Sequence, residues 1–297
     1  MLRTHIWIFI GLDILQLLQS ALSCSFTITN NCRFTIWPGI LAGSGTPQLN
    51  TTGFQLDPQK SARVPSFPGW SGRIWARTGC QFDQLGTGTC LTGDCGGRLE
   101  CDGNGAMPPA TLFEITLGKG SNQDFYDVSI VDGYNLPLIA SPVGECDLCN
   151  TTGCVADINL GCPKELQVMG EEDRGEGVIA CRSACEAFGL DEYCCIGEFA
   201  NPSTCRPSIY STLFKRACPR AYSYAFDDET STFTCKAHDY AIVFCPTADR
   251  TNMSSGGYAS SNQKNSNQGS LGAASSARCV LPISASVLLF VISGLLF

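Results

Sequence analysis

Two carboxylates, Glu114 and Asp127, stand at a spacing that can do chemistry. Each lies in a run rich in β-formers, residues 111–117 and 125–131, and the seven residues from Gly118 to Asp124 between them are turn-rich. A hairpin centred on Gly120 and Ser121 sets Glu114 opposite Asp127 on one sheet face, in a register that a slip of two would change. Like charges opposed in this way destabilise a sheet and raise the pKa of one member. An acid that keeps its proton beside an ionised partner is what glycoside hydrolysis needs. One group protonates the leaving oxygen, and the other attacks or activates water. The competing reading is a structural cluster neutralised by arginine on a solvated face.

Other chemistries find no residues. The chain has two histidines, and only His238 lies beyond the first 23 residues, so a Ser-His-Asp set is not expected. No phosphate loop, dinucleotide fingerprint or metal-ligand cluster occurs, and neither a cofactor nor a metal is expected. The net charge is −8, with no basic patch to hold nucleic acid or an anionic lipid surface.

The carboxylates must be positioned by a β framework tied with cystines. Nineteen cysteines with a single zinc-like spacing, Cys146-Asp-Leu-Cys149, favour disulfides in an oxidising compartment. Strand-like runs cover residues 25–38 and 222–244, with short strand candidates up to about residue 72 between Gly, Pro and Ser turns. Residues 178–188 read as the one convincing helix, with Cys181 and Cys185 on one face and Gly189 at its C′ position. Between the first strands and the carboxylate hairpin lies a stretch without apolar periodicity. Residues 86–101 hold five glycines and three cysteines. Cys95 and Cys101 are close enough to close a small ring, for which Gly96 and Gly97 would supply positive φ. Read alone, this is a stapled structural loop.

The order Gly86, Gly88, Cys90, Thr92, Gly93, Asp94, Cys95, Gly97 and Cys101 also resembles the signature of the thaumatin-like proteins, the plant pathogenesis-related group five. Similar strings recur at Pro108-Pro-Ala-Thr-Leu112, Asp124-Phe-Tyr-Asp-Val128, Val131-Asp-Gly-Tyr-Asn135, Tyr193-Cys-Cys195 and Ser231-Thr-Phe-Thr-Cys235. The resemblance covers about residues 24–248. It implies a mainly β fold: a flattened antiparallel β-sandwich of about eleven strands with an acidic cleft. A small disulfide lobe is implied near 78–110, and a larger one with one helix near 156–218. It also implies eight bridges: Cys32–Cys245, Cys80–Cys90, Cys95–Cys101, Cys149–Cys235, Cys154–Cys218, Cys162–Cys181, Cys185–Cys194 and Cys195–Cys205. Cys24 and Cys146 stand outside that set, which leaves room for a ninth. By position the family's cleft residues fall on Arg73, Glu114, Asp127, Asp132 and Asp227, with Asp228 as the neighbour that competes for the last place. Phe113 departs from the family's commoner small residue.

The flanks carry their own expectations. Residues 1–23 read as a secretory signal, with Arg3, an apolar run and Ala21-Leu-Ser23. Residues 249–272 form a Ser/Gly/Asn-rich linker. Residues 273–297 read as a hydrophobic tail of the glycosylphosphatidylinositol-anchor type, with a spanning helix as the alternative. Asn50, Asn150 and Asn252 are glycosylation acceptors. The resemblance implies a monomeric, secreted plant defence protein whose cleft binds β-1,3-glucan or another cell-wall polysaccharide, and the tail adds retention at the plasma membrane as the alternative to a free apoplastic protein. Its rivals are a slow endo-β-1,3-glucanase using Glu114 and Asp127, and a structural or sensory wall protein.

Overall fold

The β-forming runs build two five-stranded sheets. A computed structural model describes residues 24–144, 149–170 and 177–246. The signal, linker and tail expectations, with Cys146 and Asn252, lie outside the described residues.

Fourteen strands occur there: β1 Ser25–Asn30, β2 Trp37–Ala42, β3 Ser61–Pro65, β4 Ser71–Arg77, β5 Gln81–Phe82, β6 Gly88–Thr89, β7 Leu112–Thr116, β8 Asp124–Ser129, β9 Leu138–Val143, β10 Thr152–Cys154, β11 Gln167–Met169, β12 Val178–Cys181, β13 Phe233–Cys235 and β14 Asp239–Phe244. One sheet runs β10-β9-β14-β1-β3 and the other β13-β8-β7-β4-β2. All pairs in them are antiparallel except β1 with β14, which run parallel from Ser25↔Asp239 to Asn30↔Phe244.

The inner faces meet in an aromatic core. Phe26 of β1 packs on Trp70 at 5.3 Å and on Phe113 at 6.3 Å, and Tyr126 meets Tyr240 at 5.2 Å. Such pairs add about 0.5–1.5 kcal/mol each beyond the area they bury. Phe113, the departure noted in the sequence, is fully buried in this layer, so the strand keeps Glu114 on its other face.

All eight expected bridges are present. Cys24 is a free, buried thiol, and its suggested partner lies outside the described residues. In the small lobe Gly96 and Gly97 take φ of +83° and +71° inside the small ring that Cys95–Cys101 closes. The lobe is fastened to the sandwich by Arg77, whose buried guanidinium donates to the carbonyls of Trp37 (3.0 Å), Arg98 (2.6 Å) and Leu99 (2.8 Å).

The larger lobe corrects two expectations, where its helix begins and that it holds one helix. Residues 178–181 are strand β12, paired with β11, and only Ala184–Phe188 is helical. Val178 and Ile179 are β-branched, and Cys181 exchanges two backbone bonds of 2.8 Å with Tyr134, which holds the segment extended. Ser183 caps the helix that follows, and Gly189 ends it in the left-handed conformation. The lobe also holds helices Asp191–Cys194 and Ile209–Ala217. The second has Ser208 as its N-cap, bonding Ser211 N at 3.0 Å, with Lys215 and Arg216 in its last turn.

Candidate functional site

Three neighbouring strands place three charged residues in one row. Arg73 of β4 pairs with Glu114 of β7, and Glu114 pairs with Asp127 of β8. The hairpin register read from the sequence therefore holds. All three project from the outer face, because their strand neighbours Ile74, Phe113 and Val128 are fully buried in the core.

The row crosses an open groove. On one side a cavity of about 290 Å³ runs over Ser71, Thr116 and Phe125. On the other a cavity of about 370 Å³ runs over Ser129, Asp132, Tyr222 and Asp228. Both share Arg73, Glu114 and Asp127. The far wall is drawn in by main chain: Tyr222 N donates to Val128 O at 2.8 Å, and Ile130 N to Tyr222 O at 2.9 Å. The Tyr222 hydroxyl donates to Asp228 Oδ1 at 2.8 Å and meets Thr232 Oγ1.

The two central carboxylates sit in unlike surroundings. Glu114 Oε1 lies 3.3 Å from Arg73 Nη2, and the two side chains are 34% and 41% exposed. Burial raises the Glu114 pKa, Arg73 opposes that, and Asp132 adds to it. Asp127 makes no such pair, and its Oδ1 is buried without a hydrogen-bond partner. Burial, then the charge of Glu114, push its pKa up to about 8, with Arg73 opposing and Asp228 adding a smaller push. Both carboxyls are thus held above the usual carboxylate range, and Asp127 keeps its proton near neutral pH while Arg73 opposes the shift at Glu114. A protonated carboxyl beside a second carboxyl paired with arginine is the kind of arrangement glycosidic chemistry uses.

Of the expected residues, Arg73, Glu114, Asp127 and Asp132 come together. Asp227 does not. Its Oδ2 accepts from Ser223 N and Oγ at 3.0 Å each and from Lys215 Nζ at 2.9 Å, so it ties two parts of the larger lobe. The next residue, Asp228, occupies the groove instead. Sequence reasoning did not select Glu186, on the helix after Ser183. Burial pushes its pKa up to about 7, with Arg182 opposing and Asp132 reinforcing, so it extends the acidic line toward the larger lobe. Its place was hidden by the misread helix start. Asn50 and Asn150 are exposed, as acceptors for sugar must be. No cluster that could hold a metal is found among the described residues.

The thaumatin family profile matches residues 30–246. The chain belongs to the thaumatin family. Thaumatin-like protein 1 of Arabidopsis thaliana is 56% identical over 234 residues, covering 76% of this chain and 87% of that one. Pathogenesis-related protein 5 of the same plant is 53% identical over 227 residues, covering 76% and 92%. Among solved structures, a laminaripentaose-producing β-1,3-glucanase in complex with laminaritetraose aligns with a TM-score of 0.50 at 12% identity, covering 75% of this chain and 98% of that one. At that identity the likeness speaks for the thaumatin-type sandwich alone.

Proposed function

We propose that this thaumatin-family protein acts in plant defence outside the cell, binding β-1,3-glucan through the groove crossed by Arg73, Glu114 and Asp127. The carrying observation is that charged row, set across three strands on the floor of an open groove. A linear polysaccharide brings hydroxyls, and the groove offers carboxylates, a guanidinium and the hydroxyls of Ser71, Thr116 and Tyr222 to meet them. The pathogenesis-related relatives support the same reading.

Isothermal titration with soluble laminarin tests it. Wild-type protein binds, while Glu114→Gln with Asp127→Asn reduces affinity at least about tenfold, the scale expected when charged hydrogen-bond partners are lost. Unchanged affinity in that double variant, with the fold intact by circular dichroism, removes the groove from consideration.

A second reading has its own support. The proton held by Asp127 beside the arginine-paired Glu114 equips the groove for slow endo-β-1,3-glucan hydrolysis, with Asp127 giving its proton to the glycosidic oxygen and Glu114 serving as nucleophile or activating the water that completes the cleavage. New reducing ends released from laminarin, and lost in Asp127→Asn, would establish it. The protein works as a monomer. Delivery follows from residues 1–23 as a secretory signal, and retention at the plasma membrane from residues 273–297 as an anchor signal. Phosphatidylinositol-specific phospholipase C then releases it from membranes, whereas recovery of residues 280–297 in the mature protein speaks for a spanning helix.

A further inference from the structure

The groove makes no use of the glycosylation motifs Asn50-Thr-Thr52 and Asn150-Thr-Thr152. In such a motif the asparagine receives the sugar, and the hydroxyl two residues on is what the transferase must recognise. The fold treats the two ends differently. Asn50 and Asn150 are exposed, whereas Thr52 and Thr152 are 5% and 1% exposed.

Both hydroxyls are also engaged. Thr52 Oγ1 donates to Glu100 Oε2 at 2.8 Å and accepts from Asp102 N at 3.1 Å. The same carboxylate oxygen accepts the Thr52 and Gly53 amides at 2.6 and 2.9 Å, and Thr52 O accepts from Ile40 N at 2.9 Å. Thr152 Oγ1 donates to Arg220 O at 2.9 Å, and the residue is held in β10 opposite Ala140. Asn150 O accepts from the Tyr126 hydroxyl at 2.5 Å. A transferase would have to pull each threonine hydroxyl off its partner and leave that partner unsatisfied.

The partners are made late. Glu100 follows Thr52 by 48 residues, inside the ring closed by Cys95–Cys101. Arg220 follows Thr152 by 68, just after Cys218, whose bridge to Cys154 draws the two segments together. At ~5–20 residues per second of synthesis these gaps amount to about 2–10 s and about 3–14 s.

We propose that Asn50 and Asn150 accept N-glycans only before these contacts close, so that sugar transfer and folding compete at each segment. The inference rests on the secretory delivery proposed above. In the transfer, the anomeric carbon of a lipid-pyrophosphate-linked oligosaccharide breaks its bond to the pyrophosphate oxygen and bonds Asn Nδ2. The amide gives one proton to the transferase, and the lipid pyrophosphate departs. Folding blocks the step by withholding the threonine hydroxyl, while the asparagine stays in solvent. Glycans added in time therefore stand on the surface of the finished domain.

The test takes full-length protein made without glycans, once folded with its bridges closed and once reduced, unfolded and thiol-blocked. Each is incubated with purified oligosaccharyltransferase and a lipid-linked oligosaccharide, and peptide mass spectrometry scores Asn50 and Asn150 separately. Supplying the enzyme directly makes the result independent of delivery, whose own failure shows as residues 1–23 retained in protein isolated from plant cells. The unfolded chain is expected to accept sugar at both sites. The folded chain is expected to react at least about a hundredfold more slowly, as for a group reached only by local opening. Equal rates overturn the proposal, and so does an unfolded chain that accepts no sugar. Opening one contact should release one site. Glu100→Ala frees the Thr52 hydroxyl and speeds transfer to folded protein at Asn50 at least about tenfold, the scale of a lost charged partner. Asn150 stays blocked in that variant and reports that the rest of the domain is folded. Unchanged transfer at Asn50 overturns the assignment of the block to the threonine hydroxyl.

Discussion

At the scale of single residues, Asp127 carries the sharpest consequence. A carboxyl in the unfolded chain titrates near pH 4, whereas folded Asp127 titrates at about 8. Its folded pKa is raised, so its contribution to stability is full below about pH 4 and is lost as pH rises toward 8. Asp127→Asn removes that dependence. Calorimetric scans should show the variant melting about 2–4 °C above wild type at pH 8 for each ~1 kcal/mol of repulsion relieved, with the difference vanishing near pH 4. Arg73→Gln works the other way. With the counter-charge gone, both carboxyls titrate at higher pH, which carboxyl carbon NMR across a pH series will register as upward-moving midpoints. The opposition of Glu114 and Asp127 was legible because hairpin symmetry about Gly120 and Ser121 is a property of local sequence. The choice between Asp227 and Asp228 was not. It depends on Lys215, which reaches Asp227 from helix Ile209–Ala217 only after the chain has folded back, while the Ser223 contact is local.

Elements show the same division. The strands that bear the groove were readable from their runs of β-formers, and helix Ile209–Ala217 carries its own local signals, a serine cap and two basic residues at its end. The strand at Val178–Cys181 was not readable from spacing, since Cys181 and Cys185 suit a helical face equally well. Pairing with β11 and with Tyr134 decides it, and Tyr134 is distant in sequence. The attachment of the small lobe rests on another long-range device, the Arg77 guanidinium. Burial lowers its pKa to about 10, so it remains charged at neutral pH. Arg77→Met strands several buried carbonyls at once and should cost on the order of 3 kcal/mol in denaturant unfolding. Hydrogen exchange should quicken first in residues 87–102, because the two disulfides there keep the lobe's shape but not its seat.

Over the whole molecule, the bridge between Cys32 and Cys245 spans 213 residues. In the chain-entropy account so long a loop contributes about 4–5 kcal/mol, so Cys32→Ser with Cys245→Ser should lower unfolding free energy by about that amount while the other seven bridges stay closed. Strand β14, which leads into that bridge, sits in the middle of its sheet, between β9 and β1. During synthesis the two halves of that sheet, β10-β9 and β1-β3, therefore emerge from the ribosome with an unfilled slot between them, each showing a bare edge. The slot is closed only by residues 239–244, among the last of the domain to be made. A polypeptide stalled or cut before residue 239 is thus a split sheet that can recruit the missing strand from solution. A synthetic peptide of residues 239–246 should bind such a truncated chain and restore its cooperative melting.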